Sequence, residues 1–173
     1  MSVRNRVHLR EMVTTDAEVI LKIYEEGIQT GHATFEAEVP DWHKWDSRHL
    51  TQCRWLAEEE HTVLGCGALS QVSPGKVYLG VAEVSIFVSG TAQFQEIGSI
   101  LLERLISSSE ESSFWTLKAQ VFPENNISLY VHEKQGFRKS GTCRQLAQMS
   151  YGSMAGEWTD PVLMERRNKI EGN

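Results

Sequence analysis

Apolar and polar positions alternate at the start of the chain. Val7 and Leu9 are set between His8 and Arg10, the period-two pattern of a strand with one buried face. The spacing then lengthens to that of a helix, with Ala17, Ile20, Leu21, Tyr24 and Ile28 on one side and Thr15-Asp16 as the cap. A polar, irregular segment covers 30–39. Pro40-Asp41 opens a second helix carrying Trp42, Trp45, His49 and Leu50 at helical spacing. Segments 55–57 and 63–69 form a hairpin that turns through 58–62. Pro74-Gly75 marks a turn before a longer strand, 77–88, rich in β-branched and aromatic residues.

Ile100, Leu101, Leu102, Leu105 and Ile106 predict a third helix, whose apolar face stops at 107–113. That serine and glutamate cluster reads as a loop. Residues 114–122 read as a strand. Residues 125–134 read as a short helix closed by Gly136, a C-cap position. Segments 149–151 and 162–166 are expected as final strands around a Gly- and Trp-bearing hairpin. Strands that adjoin without an intervening helix, plus a few helices, give an α+β fold.

Length changes the picture little: 173 residues fit one domain, expected to span 1–173. Hydrophobic residues make up 40% and charged residues 23%, a globular balance with enough apolar material for a core. No apolar run approaches the roughly 20 residues that span a bilayer. The segment 1–10 lacks the apolar stretch of a secretory leader. A net charge of −6 argues against a broad nucleic-acid surface. Cys53, Cys66 and Cys143 are far apart and lack metal-ligand spacing, so neither a zinc site nor a disulfide framework is expected. A buried thiol is the common reading of such cysteines, a nucleophile the rarer one. A cytoplasmic setting is the simplest expectation.

Chemistry concentrates in the middle of the chain. The run Ala82-Glu83-Val84-Ser85-Ile86-Phe87-Val88 leads into Gln93-Phe94-Gln95-Glu96-Ile97-Gly98 and then into the third helix. A strand, a glycine-bearing loop and a helix in that order build an anion site, because N–H groups at a helix start have no partner inside the helix. The stretch resembles the coenzyme-A-binding core of the GCN5-related N-acetyltransferases (GNAT), whose loop reads Gln/Arg-x-x-Gly-x-Gly/Ala. Here the first glycine position holds Glu96. Further segments are similar to the phosphinothricin and methionine sulfoximine acetyltransferase branch of that family. They are Gly31 to Glu36, then Asn125-x-x-Ser128-x-x-x-His132-Glu133-x-x-Gly136-Phe137, then Tyr151-Gly152, Gly156, Trp158 and 162–166. Each motif is weak alone; their order and spacing together are specific.

The resemblance implies a GNAT acyltransferase fold: a mixed, mostly antiparallel twisted sheet flanked by helices, with a splay for the cofactor. It implies an acetyl-CoA-dependent N-acetyltransferase that works by direct attack in a ternary complex, without metal. The acceptor it implies is the α-amine of a small amino-acid analogue of the phosphinothricin, methionine sulfoximine or sulfone type, and the assembly a homodimer. Glu83 is carried over as the base, and burial in an apolar run raises a carboxyl pKa. His132 stands where relatives hold an acid toward the departing thiolate, with a purely structural role as the other reading. Ile86, Phe87, Val88, Gln93, Phe94, Gln95, Glu96, Ile97, Gly98 and Ser99 are the implied cofactor contacts, joined by Asn125 and Ser128. Asn125 also suits a helix N-cap. Phe35, Glu36, Lys76 and Tyr78 are candidates for the acceptor pocket, although a turn lysine such as Lys76 also reads as solvated. Two alternatives stand beside this reading: a non-catalytic ligand-binding protein on the same fold, and an acetyltransferase for a polyamine, aminoglycoside or peptide N-terminus.

Glu96 complicates the loop. A non-glycine residue in left-handed backbone costs roughly 1–2 kcal/mol, and a carboxylate about 4 Å from a phosphate adds roughly 1 kcal/mol or more. No Lys or Arg lies between Lys76 and Arg104 to offset it.

Overall fold

The computed structural model describes residues 3–169. Among these residues the chain runs β1 (His8–Glu11), α1 (Ala17–Gln29), α2 (Trp42–Arg48), β2 (Trp55–Glu59), β3 (Thr62–Gln71) and β4 (Val81–Val88). It continues through α3 (Ile97–Glu111), β5 (Thr116–Val121), α4 (Asn126–Lys134), β6 (Arg138–Thr142), β7 (Ala147–Gln148), β8 (Trp158–Thr159) and β9 (Val162–Arg167). Seven strands form one sheet in the order β1-β2-β3-β4-β5-β9-β6. Each neighbouring pair is antiparallel except β4 with β5. β7 and β8 form a separate ribbon. The expected α+β architecture is present.

Two cores follow from the two faces of this sheet. On one, Ile20, Ile23, Tyr24 and Ile28 of α1 and Trp45 of α2 pack on Leu56, Cys66 and Ala68. On the other, Ile97, Leu101, Leu102 and Leu105 of α3 pack on Ala57, Leu69, Val84 and Leu117. Successive side chains of a strand point to opposite faces. Thus Ala82, Val84, Ile86 and Val88 join the α3 core, while Phe87 packs at a tilt against Tyr24 of α1, ring centroids 4.7 Å apart. Trp42 and Trp45 stack at 5.1 Å, and Trp55 is buried.

The helix termini follow local chemistry. Asp41 accepts the Lys44 N–H at 2.8 Å and starts α2; Asn125 accepts the Ser128 N–H at 3.1 Å and starts α4. Gly136, at φ +85°, closes α4, with its N–H donating to the Glu133 carbonyl. At the entrance to α1 the Asp16 carboxylate accepts the Val13 N–H and both terminal nitrogens of Arg10, each at 2.8 Å.

Three expectations need correction. The serine cluster is helix: α3 runs to Glu111, with Ser108 and Ser109 buried. Their hydroxyls donate to the Leu105 and Ile106 carbonyls, and Ser108 also accepts from Trp55 Nε1 at 3.1 Å. The serines thus satisfy themselves inside the core. Next, the strand predicted from residue 77 begins only at Val81, because Lys76–Tyr78 turn in a short 3-10 helix after Pro74-Gly75. Gly80 lies so close to Trp115 that an added Cβ would sit 2.0 Å from the ring. Finally, 149–151 is not a strand. The ribbon pairs Ala147–Gln148 with Trp158–Thr159, and Met149 is buried beside it. The polar edge strand β6 carried no apolar alternation and went unpredicted.

Candidate active site

The parallel pair β4–β5 is the structural origin of the site. Its ladder holds only at Val81 with Thr116, Ala82 with Leu117 and Glu83 with Lys118. Beyond Glu83 the strands part, and a cleft of about 320 Å³ opens between them. Residues 83–87 of β4, residues 119–122 at the end of β5, and Asn125, Ser128 and His132 of the α4 region line it.

Which backbone groups face the gap follows from alternation along the strand. The Gly80 carbonyl accepts from Trp115 and Thr116, so it faces β5. The Ser89 N–H donates to the Leu64 carbonyl at 2.9 Å, so it faces β3. Backbone groups of Val84, Ile86 and Val88 therefore point to the β5 side, where the ladder has ended. Phe87 spends its own on β3, and its ring serves the α1 core.

Glu83 sits at the fork. Its side chain is half-buried, and burial raises its carboxyl pKa; Lys118, in register beside it, pulls the other way without cancelling the shift. A carboxylate in this state is a stronger base than one in water. His132 is buried, with Nδ1 2.8 Å from the Ser128 carbonyl. A carbonyl only accepts, so Nδ1 carries the proton and Nε2 presents a lone pair. That Nε2 is buried without a protein partner. Burial holds the imidazole pKa below its usual value against the opposing pull of the Ser128 carbonyl. The net lowering favours the neutral ring, which must receive a proton before it can act as an acid. Cys66, buried in the core, has its thiol pKa pushed up to about 12 by burial, far from a reactive thiolate.

The loop at the other end of β4 has the backbone its sequence strains against. Phe94 is at φ +64° and Glu96 at φ +61°. Glu96 is the residue before α3, and Ile97, Gly98 and Ser99 form the first turn, whose N–H groups have no helical partner. The Phe94 ring is 84% exposed, and Gln93 is exposed beside it. The Gln95 amide folds back onto the Thr91 carbonyl at 3.2 Å. Ser99 is buried and accepts from Gln135 at 3.3 Å. The Glu96 carboxylate lies 3.8 Å from Nε of Arg4, a cation from far upstream.

A family model for the "Acetyltransferase (GNAT) family" matches residues 18–137. This chain belongs to the GNAT acetyltransferases. It is 30% identical over 161 residues to the phosphinothricin N-acetyltransferase of Alcaligenes faecalis, covering 87% of this chain and 77% of that one. The phosphinothricin N-acetyltransferase of Streptomyces viridochromogenes is 28% identical over 167 residues, covering 94% and 88%. A GNAT-superfamily phosphinothricin acetyltransferase from Sinorhizobium meliloti, solved in complex with acetyl-CoA, superposes with a TM-score of 0.84 at 25% identity, covering 94% and 89%.

One wall of the cleft is assembled from the face that Glu83 shares with Phe87. Tyr24 of α1, the 32–36 segment, and Arg48 and His49 at the end of α2 line the same cleft. Phe35 packs on Phe122 at 4.7 Å, and Glu36 takes a 2.6 Å ion pair from Arg48. Tyr151 donates to the Thr34 carbonyl at 2.7 Å and ties the ribbon region to this wall. Phe35 and Glu36 line the cleft. Lys76 and Tyr78 do not: they lie on the exposed 3-10 turn outside its lining. Among the described residues, Arg48 is a basic side chain that lines the cleft. Sequence reasoning missed it because its reach depends on the angle between α2 and the sheet. His32 and His49 also line the cleft. His32 Nδ1 is buried without a partner, and His49 Nδ1 meets the Trp45 carbonyl at 2.8 Å.

Proposed function

We propose that this acetyltransferase moves the acetyl group of acetyl-CoA to the α-amine of a small amino-acid analogue of the phosphinothricin or methionine sulfoximine type. The observation that carries the proposal is Glu83, half-buried at the point where β4 and β5 part, with an acceptor wall on one side and unladdered backbone on the other. The likeness to the phosphinothricin N-acetyltransferases of Alcaligenes faecalis and Streptomyces viridochromogenes supports the acceptor class.

The residues fit the cofactor. Backbone groups of Ile86 and Val88 are available to an extended amide-bearing arm, which then acts as a partial strand. The first-turn N–H groups of α3 suit its phosphates. Bound acetyl-CoA supplies an activated thioester. The chain's residues do the rest. Glu83 takes a proton from the acceptor ammonium, directly or through water, and frees the amine lone pair for attack. Cleft-facing N–H groups of β4 are donors for the thioester oxygen as it gains charge. His132 Nε2 accepts a proton within the same cleft and can then return it to the departing sulfur. Arg48 faces the acceptor's acidic group, in exchange with Glu36.

Calorimetric titration with acetyl-CoA, followed by rates on a panel of amino-acid analogues, polyamines and peptides, tests this reading. Binding in the micromolar range with turnover on amino-acid analogues is expected. Absence of binding would leave the non-catalytic alternative. Turnover confined to polyamines or peptides would move the acceptor class.

A further inference from the structure

Glu96 is an unsuitable residue for a phosphate loop, yet the loop backbone is held in the required left-handed form. The structure offers a reason outside the loop. Arg4 stands in a short 3-10 turn ahead of β1, flanked by Val3 and Val7, which pack on the α3 core. Its Nη1 donates to Glu103 at 2.7 Å, and its Nε lies 3.8 Å from Glu96. Glu96 and Glu103 are about two turns apart along α3, so one guanidinium spans the flank of the helix between them. Both carboxylates hold the Arg4 pKa above its ordinary value, Glu103 through the hydrogen bond and Glu96 through charge alone.

The direction of this pull matters. Glu103 lies farther along α3, away from the N–H groups of Ile97, Gly98 and Ser99. A cation fixed on Glu103 draws the Glu96 carboxylate back along the flank and off the helix end. The anion site is thereby cleared of the loop's own negative charge. A third carboxylate near this end of β4, Glu26, is already committed to the Ser89 hydroxyl at 3.0 Å and the Gly90 N–H at 2.7 Å.

We propose that Arg4 is a positioning residue of the cofactor loop: it withdraws and neutralises Glu96, so the segment ahead of β1 forms part of the cofactor site. This rests on the acetyl-CoA reading above. The pairing compensates within the chain for the missing glycine, and the two positions work as a unit.

A double-mutant cycle on the full chain reads this directly, with calorimetric Kd for acetyl-CoA and steady-state constants. Arg4→Gln should raise Kd and KM for acetyl-CoA about five-fold, the effect of one unscreened carboxylate near a phosphate in water. The kcat value should stay within about two-fold, and Arg4→Lys should restore only part of the affinity, because a point charge keeps the neutralisation but cannot span both carboxylates. Glu96→Gly should tighten binding, and in that background Arg4→Gln should change Kd less than about two-fold. Equal losses in both backgrounds would overturn the inference, because Arg4 would then act independently of Glu96. So would no loss in the parent chain. A parent chain that binds no acetyl-CoA overturns this inference together with the proposed function, whereas binding with an additive cycle overturns this inference alone.

Discussion

The proposed base, Glu83, makes one titration the test of the chemistry. Burial raises its pKa, so the base form grows in as pH rises through a value above that of a solvated carboxylate. The acid limb of the kcat/KM profile should follow that ionisation. Glu83→Gln should lower kcat/KM by about 10²- to 10⁴-fold, the usual contribution of a positioned base, and should abolish the limb. A pH–rate series on both proteins checks this; an unchanged profile would remove Glu83 from the role. His132 and His49 make the opposite electrostatic demand. Burial lowers both pKa values, so the folded protein keeps these rings neutral. The unfolded chain protonates its histidines near pH 6.5. Between that pH and the lower folded values, the unfolded state binds more protons, and stability falls as pH falls. The thermal midpoint should therefore drop on acidification below about pH 6.5, and His132→Gln should flatten that slope.

At the scale of elements, α3 and the β4–β5 pair define the site. α3 begins at the 93–96 loop and anchors its other end through buried serines. Ser108 satisfies Trp55 Nε1. Ser108→Ala would leave that indole N–H buried and unpaired, a loss of about 1–3 kcal/mol, read as a lower midpoint in chemical denaturation. The serine pattern hid this half of the helix, because periodicity registers apolarity rather than hydroxyls that bond to carbonyls one turn back. The β4–β5 pair makes the cleft by stopping early. Trp115 fills the space over Gly80 and the first three residues of β4 pair with β5, after which that ladder ends while β5 stays paired with β9 along its whole length.

At the scale of the whole molecule, the cleft joins elements from both faces of the sheet, so occupancy should stiffen and stabilise the entire fold. Acetyl-CoA at about one hundred times its Kd should add about 2.7 kcal/mol, a rise of roughly 5–11 °C in thermal midpoint for a chain this size. Glu83→Gln should keep most of that shift, which separates binding from proton transfer. A thermal-shift titration on the two proteins reads both quantities. Loss of the shift with the substitution would make Glu83 a binding residue.

Local rules recovered what local forces control. Asp41, Asn125 and Gly136 mark helix ends because caps and left-handed glycine act within a few residues. The order of strand, loop and helix around Glu83 and Gly98 was legible for the same reason, as was the acetyltransferase family to which it pointed. Long-range partners were not legible. Arg4 reaches Glu96, Arg48 rather than the candidate Lys76 lines the cleft, and Val84, Ile86 and Val88 rather than Phe87 turn their backbone to the gap. The tautomer of His132 likewise depended on a carbonyl one turn away and on burial by the surrounding fold. Periodicity assigns a side chain to a face. Which charge, strand or carbonyl meets that face is set by helix angles and sheet register, and those are fixed only when the two cores pack.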